Sequence, residues 1–122
     1  MFLTPQWGSQ IERIVAGNPD YGLIGCMTNR LRADYQLHNG VLSDCGDMGK
    51  HIAIASERDG LYGSLVTPCD GPVAGMLMLF PVKQWKRTPF QERTIYFDKR
   101  FTEAVRRSGG KVGIAQGLYL FH

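Results

Sequence analysis

"YFDKRFTEAVRRSGGKVGIAQGLYLFH" spans residues 96–122 and contains the clearest secondary-structure pattern in this chain of 122 residues. Its first part has apolar residues at helical spacing, which predicts a helix over about 97–108. The residues that this helix would bury are Phe97, Phe101, Ala104 and Val105. Gly109 and Gly110 follow, and glycine at this position typically ends a helix in the left-handed conformation. The remaining letters, "KVGIA" and "GLYLFH", predict two short strands, the second ending at His122.

Helical and extended patterns alternate along the rest of the chain. Helices are predicted after the start signal Thr4-Pro5, over 47–60 with Asp59-Gly60 as its end, and over 81–87. The first would bury Trp7, Ile11, Ile14 and Val15, and the second Met48, Ile52 and Ala55. Strands are predicted at 21–27, 63–67 and 73–80. The last, "VAGMLMLF", is the most hydrophobic run in the chain, and we expect it to be a central strand.

Strands mixed with helices predict one α/β domain over residues 1–122, with helices packed on a mixed β-sheet. A hydrophobic content of 43% supplies a core. No apolar stretch approaches the roughly 20 residues of a membrane span, and the N-terminus lacks the pattern of a signal peptide. Cys26, Cys45 and Cys69 form no CxxC pair, so reduced thiols in a cytoplasmic protein are expected.

The charge is distributed unevenly along the chain. Residues 1–82 contain 5 basic and 8 acidic side chains, whereas residues 83–122 contain 9 basic and 3 acidic ones. The predicted last helix contributes Lys99, Arg100, Arg106 and Arg107. Such a helix can bind phosphate groups, or can be a solvated surface. Nucleic acid is the less favoured partner, because Phe97 and Phe101 are expected to face the core and no nucleic-acid-binding signature accompanies them.

The segments "VAGMLMLFPVKQW" (73–85), "FQE" (90–92) and "YFDKRFTEAVRRSGGKVGIAQGLYLFH" follow one another in an order that resembles the C-terminal half of family-2-like glycosyltransferases of the A-type fold. That family has a glycine-bearing strand ending near a tryptophan, a GFDE-like turn, an acidic residue that opens a helix, a GGKV-like segment and a strand ending in histidine. "DMGKHIAIASERDGLYG" (47–63) resembles its middle helix, and "FLTPQW" (2–7) the segment after its metal-binding Asp-x-Asp. The resemblance covers nearly the whole chain, and residues 96–122 carry most of its specificity.

The resemblance implies a catalytic and a metal-binding residue. Asp98 matches the carboxylate that removes the proton from the acceptor hydroxyl, and His122 matches a histidine that ligates the metal in some relatives. Read without the resemblance, Asp98 is a carboxylate at a helix start, which the helix dipole favours, and His122 is the end of a strand.

The resemblance also implies an acceptor pocket. Asp70, Gly71 and Gly75 would border it, and Trp85 could stack on a sugar ring. Read without the resemblance, the first three form a simple β-connection, and Trp85 fills the core together with Val82.

The function implied by the resemblance is sugar transfer from a nucleotide-sugar donor to a glycan or other hydroxyl acceptor, with a divalent cation, Mn²⁺ or Mg²⁺. The chain contains no Asp-x-Asp, and the resemblance places that motif and the donor-binding half before Met1. We therefore expect the acceptor-side half of a transferase, inactive alone. The alternatives are an anion-binding or nucleic-acid-binding domain that uses the basic helix, and a folded but inactive remnant.

Without the donor-binding half, open sheet edges predict a homodimer or higher oligomer.

Overall fold

A computed structural model describes residues 1–90 and 95–122. In chain order the elements are α1 (Trp7–Gly17), β1 (Tyr21–Thr28), α2 (Met48–Tyr62), β2 (Val66–Pro68), α3 (Val82–Arg87), α4 (Phe97–Arg107) and β3 (Lys111–Leu120). Two short 3-10 turns, Asp34–Gln36 and His38–Gly40, lie between β1 and α2. The predicted α/β class, a mixed sheet with packed helices, is confirmed.

β3 is the central strand of a three-stranded sheet in the order β1-β3-β2. It runs parallel to β1 and antiparallel to β2. The register between β3 and β1 shifts within β3. Cys26 of β1 lies opposite Ala115, but the next residue of β1, Met27, lies opposite Tyr119. The prediction of two strands here is therefore wrong, since one strand continues through a β-bulge at the position of the predicted break.

Side chains from two helices hold the bulge, because the strand ladder cannot pair there. The Gln10 side-chain amide of α1 donates a hydrogen bond of 2.7 Å to the Gly117 carbonyl oxygen. Arg58 of α2 donates to both the backbone and the side-chain oxygen of Gln116, at 2.8 and 3.0 Å. A Cβ at Gly117 would collide with the backbone oxygen of Gly63, so the close approach of these two segments requires glycine.

Apolar side chains cover both faces of the sheet in two core layers. The first layer contacts α2 and α4 and contains Leu23, Met27, Ala55, Val73, Phe101, Val105, Val112, Ile114 and Tyr119. The second contacts α1 and contains Ile14, Ile24, Cys26, Val66, Ala115, Leu118 and Leu120. Neighbouring residues of β1 fall into different layers, because successive side chains of a strand point to opposite faces. As predicted, α4 packs through Phe101 and Val105, whereas Phe97 and Ala104 are only half-buried.

The predicted central strand at 73–80 is wrong. Within this run only Leu79 pairs as in a sheet, through two backbone hydrogen bonds of 2.8 and 2.9 Å to Ile24. Residues 71–75 instead lie along α4, where side chains bind their backbone. The strand predicted at 63–67 is shorter and later, at Val66–Pro68, because α2 continues further than predicted.

The two longer N-terminal helices differ from prediction in their ends and buried faces. Asp47 caps α2 by accepting hydrogen bonds from the backbone N–H groups of Gly49 and Lys50. The helix does not end at Asp59-Gly60 but at Tyr62, and Gly63 then has a positive φ of 51°. Its buried residues are His51, Ala55 and Arg58, whereas Ile52 is 46% exposed.

In α1 the predicted apolar stripe is buried only in part. Ile14 is fully buried, but Trp7 and Val15 are 45% and 49% exposed. The Thr4 hydroxyl does not cap the helix, since it donates to the Gln10 side-chain oxygen at 3.2 Å. α3 follows Pro81 as predicted, and Gly109 has the predicted left-handed conformation, with φ of 87°.

The connection between β1 and α2 is attached to the sheet by buried polar side chains. His51 donates from Nε2 to the Cys45 carbonyl oxygen at 2.6 Å, so its Nδ1 accepts from the Tyr119 hydroxyl at 2.9 Å. Burial raises the pKa of Tyr119 to about 12, which keeps this hydroxyl protonated. Arg58 Nη1 donates to His38 Nδ1 at 3.0 Å and joins the second 3-10 turn to α2.

All three cysteines are free thiols, as predicted. Burial raises the pKa of the Cys26 thiol to about 12, so this side chain is an inert core group. None of the helices in the described part of the chain combines the length and the apolar composition needed to cross a lipid bilayer.

The His38 contact predicts a dependence of stability on pH. Burial and the adjacent Arg58 charge lower the pKa of His38 in the folded state, and Glu57 partly opposes this. The unfolded chain therefore takes up a proton first as the pH falls below the ordinary histidine pKa of about 6.5. The free energy of unfolding is fully retained above that pH and decreases below it, until the folded state is protonated too.

Urea unfolding at a series of pH values from 8 to about 5 measures this effect. The comparison is with His38→Gln, which removes only the His38 contribution and leaves every other ionisable group in place. The wild type should lose more stability than this variant over the interval. Parallel curves for the two proteins would contradict the assignment.

Candidate functional site

Asp98 and Gly75, two of the residues predicted to form a site, lie together. Asp98 is the second residue of α4, where the helix dipole favours a carboxylate. Its Oδ2 atom accepts a hydrogen bond of 3.2 Å from the Gly75 backbone N–H. Its Oδ1 atom accepts one of 2.8 Å from the Lys99 backbone N–H. The carboxylate is half-buried and its position is fixed from two sides.

The contact between Asp98 and Gly75 is the first of three that join α4 to residues 71–75. Asp98, Thr102 and Arg106 are four residues apart, so they form one stripe along the helix. The Thr102 hydroxyl accepts from the Val73 N–H at 3.1 Å and donates to the Asp98 carbonyl at 2.7 Å.

Arg106 makes the third contact with this segment. Its Nη2 atom donates to the carbonyl oxygens of Cys69 and Gly71, both at 2.6 Å. Residues 71, 73 and 75 are two apart, which is the spacing of one side of an extended chain. The segment is therefore extended along the helix and tied to it at every second residue.

Residues of the first 3-10 turn bind the same segment at the intervening positions. The Tyr35 hydroxyl donates to the Pro72 carbonyl oxygen at 2.6 Å. Burial raises the pKa of Tyr35, so the hydroxyl stays protonated near neutral pH. The Gln36 side chain accepts from the Ala74 N–H at 3.1 Å and donates to the Cys26 carbonyl oxygen of β1 at 2.9 Å. Gln36 thus links this segment to the sheet.

A small pocket of about 140 Å³ opens beside Asp98. Its lining residues are Leu31, Arg32, Ala33, Gln36, Pro72, Val73, Ala74, Asp98 and Lys99. One acidic residue, Asp98, and two basic residues, Arg32 and Lys99, are thus among the residues that line the pocket. Salt bridges between described residues occur at other positions, Arg13–Asp59 and Arg30–Asp44. Arg32 and Lys99 are both exposed at the pocket rim.

The predicted acceptor residues are only partly brought together. Gly71 lies against the ring of Tyr35, where a Cβ would collide with the side chain, and its carbonyl binds Arg106. Asp70 is exposed beside it. Trp85 is not among the residues that line the pocket. It is 42% exposed on α3, and the adjacent Val82 is 68% exposed, so the interpretation that both fill the core is wrong.

His122 lies just after β3 and is not part of the strand. Its backbone N–H donates to the Asn29 side-chain oxygen at 2.8 Å, and its side chain is exposed. Among residues 1–90 and 95–122, no three His, Cys, Asp or Glu side chains are arranged as metal ligands. Mn²⁺ and Mg²⁺ prefer several oxygen ligands, so the described residues do not fit such a cation by themselves.

Sequence reasoning missed most of the residues that build this site. Tyr35 and Gln36 lie in a stretch without periodicity, and only the structure shows that they bind residues 72 and 74. Thr102 and Arg106 could have been found from their spacing of four and eight residues from Asp98. Arg106 had been grouped with the basic surface of α4, but it binds backbone carbonyl oxygens within the chain.

Comparisons of the chain with protein-family models, with curated proteins and with solved structures each gave no match.

The steric fit at Gly75 generates a prediction. A Cβ there would lie 2.5 Å from Cζ of Phe97, so Gly75→Ala must displace the ring or residues 73–76. We expect a loss of about 1–3 kcal/mol in the free energy of unfolding, the usual cost of overpacking. The contact of the Gly75 N–H with Asp98 should weaken as well.

Gly60→Ala is the matched control, because it adds the same methyl group in α2 where no atom lies within 4 Å. It should stabilise the helix by about 0.5–1 kcal/mol, since glycine is a poor helix former. Urea unfolding of both variants measures the difference. A Gly75→Ala protein as stable as the wild type would show that the packing at Phe97 is not as described.

Proposed function

We propose that the chain provides the acceptor-binding side of a nucleotide-sugar glycosyltransferase, with Asp98 as the general base. The observation that supports this is the position of the Asp98 carboxylate. It lies at the start of α4, is bound by the Gly75 N–H at 3.2 Å, and borders a pocket with Arg32 and Lys99. The sequence resemblance assigns the same role to this aspartate.

The hydrogen bonds of Asp98 leave it able to act as a base. A carboxylate oxygen has two lone pairs, and Oδ1 and Oδ2 each accept one N–H in this site. One lone pair on each oxygen is therefore available for an acceptor hydroxyl at about 2.6–3.2 Å. The two backbone donors hold the carboxylate in one orientation, which a base needs if it is to meet the hydroxyl in a reactive geometry.

In the proposed reaction the acceptor oxygen forms a bond to the anomeric carbon of the sugar. The bond from that carbon to the diphosphate oxygen breaks, and its electron pair leaves with the diphosphate. The hydroxyl proton passes to Asp98. Arg32 and Lys99 at the pocket rim can stabilise the negative charge that develops on the leaving group, since cationic side chains serve this purpose in phosphate-transfer sites.

The proposal assigns only the acceptor side to this chain. The sequence contains no Asp-x-Asp, and the described residues do not form a ligand set for the implied cation. Donor binding is expected from a separate donor-binding half, and the isolated 122 residues should show no transferase activity.

Asp98→Asn tests the proposed base in a protein that joins this chain to a donor-binding half. Asparagine retains the shape of aspartate and removes its basicity, so turnover should fall by about 100-fold or more. Glu103→Gln is the matched control, because it makes the same chemical change at an exposed position of the same helix. It should leave turnover nearly unchanged.

The outcomes separate the proposed function from its alternatives. Equal turnover of Asp98→Asn and Glu103→Gln would show that Asp98 is only a helix-start carboxylate. If the basic helix binds nucleic acid, the isolated chain should bind a generic oligonucleotide in a salt-sensitive manner, and Lys99→Gln should weaken this binding. No activity in the joined protein and no binding to sugar or nucleic acid would favour an inactive remnant.

A further inference from the structure

The most hydrophobic segment of the chain is incompletely covered. All five residues of "MLMLF", Met76 to Phe80, are apolar, and none of them is fully buried. Edge strands of monomeric proteins usually contain charges, proline or bulges that prevent pairing with other chains. This segment contains none of these before Pro81. Its composition is typical of an internal strand, yet the structure places it at the edge.

Residues 77–80 have the side-chain alternation of a strand. Leu77 and Leu79 pack against the core layer on α1, whereas Met78 and Phe80 pack against the layer on α4. Leu79 directs both its N–H and its carbonyl oxygen toward Ile24 of β1. In an extended chain the neighbouring residues direct these groups to the opposite side.

The outer side of this segment carries open backbone groups. Within the described residues, no backbone hydrogen bond is formed by Met78 or Phe80. A groove of about 470 Å³ runs beside them, and Val15, Tyr21, Ile24, Met78 and Phe80 are among its lining residues. Apolar walls next to unpaired N–H and carbonyl groups fit an extended apolar strand better than a small polar ligand.

We propose that this edge is the interface of a homodimer, in which residues 77–80 of two copies pair antiparallel about a twofold axis. One register satisfies all the open groups. Leu79 lies opposite Leu79 of the partner subunit, and Met78 pairs with Phe80 of the partner subunit. Each of the two symmetric Met78–Phe80 pairs exchanges two hydrogen bonds. The two three-stranded sheets then form one continuous sheet.

The occupant is a second copy of the chain, because residues 77–80 have the properties that a strand pairing with them must have. The partner strand must be extended, uncharged and apolar on both faces, and it must have a free edge. β3 is paired on both sides, and β2 has only three residues and ends in Pro68. Residues 77–80 are uncharged and apolar and have a free outer edge, and an isologous contact closes both open edges at once.

A stable interface buries more surface than the paired residues alone can supply. Standard interfaces bury about 800 Å² per partner, roughly one ninth of the 7217 Å² accessible surface of this chain. Three paired residues cannot supply this area. The groove walls must therefore be buried as well, which places Val15 of α1 within the interface.

Sedimentation equilibrium over a range of concentrations tests the dimer. Met78→Pro removes an N–H that makes no bond within the chain, so it should weaken dimerisation at least about tenfold through the two hydrogen bonds lost per dimer. Val15→Lys places a charge in the groove wall and should also weaken it at least about tenfold. Ile52→Lys is the matched control, since Ile52 and Val15 are 46% and 49% exposed and Ile52 does not line the groove. It should leave the dimer intact.

Circular dichroism and urea unfolding establish that each variant is folded, and Val15→Lys decides the test if Met78→Pro is not. A wild-type chain that remains monomeric at the highest attainable concentration would overturn the proposal. A dimer that Val15→Lys and Ile52→Lys weaken equally would also overturn it. The proposal is independent of the transferase function, because none of these substitutions lies in the pocket beside Asp98.

Discussion

The pairing of β3 with β1 on one side and β2 on the other is the interaction on which the rest of the structure depends. β3 supplies side chains to both core layers, and the bridge between its Leu120 and Phe2 brings the two ends of the chain together. α4 immediately precedes β3 and packs on the sheet through Phe101 and Val105. The start of α4, with Asp98, is therefore placed by the sheet and not by local sequence alone.

The segment 71–75 illustrates how a loop becomes a precise part of a site. A buried backbone N–H group such as that of Val73 needs a hydrogen-bond partner, and a strand ladder would normally provide one. Here Thr102, Gln36 and Asp98 accept from the N–H groups of residues 73, 74 and 75. The same bonds that satisfy the backbone also orient the Asp98 carboxylate. Binding and catalytic groups require such support, because small displacements reduce their efficiency strongly.

Local sequence patterns were sufficient to predict those helices and strands whose buried residues are apolar and regularly spaced. Helical spacing predicted α4 with its buried Phe101 and Val105, and the apolar run at 21–27 predicted β1. The run at 73–80 was misassigned because composition reports how apolar a segment is, but not which backbone partners it finds. α2 was misjudged for a related reason, since its buried face includes His51 and Arg58, which hydrogen bonds make acceptable in a core.

Only single residues of the candidate site were predicted from the sequence, and not the contacts between them. Asp98 and Gly75 were predicted as site residues through the resemblance, whereas the local pattern alone indicated a helix-start carboxylate and a β-connection. Their contact, and the contributions of Tyr35, Gln36 and Arg32, depend on long-range folding that no local spacing encodes. Trp85 was predicted to stack on a sugar ring by the resemblance and to fill the core without it, and α3 leaves it 42% exposed.

The hydrogen bond from the Gly75 N–H to Asp98 is the contact on which the functional proposal rests, and NMR can observe it directly. The measurement is the amide-proton chemical shift of Gly75 as the pH is lowered until Asp98 is protonated, in the wild type and in Asp98→Asn. The described geometry predicts that the Gly75 and Lys99 amide shifts change together with the Asp98 carboxyl signal, and that neither shift follows this titration in Asp98→Asn. A Gly75 amide shift that stays constant while the Asp98 carboxyl signal titrates would contradict the site.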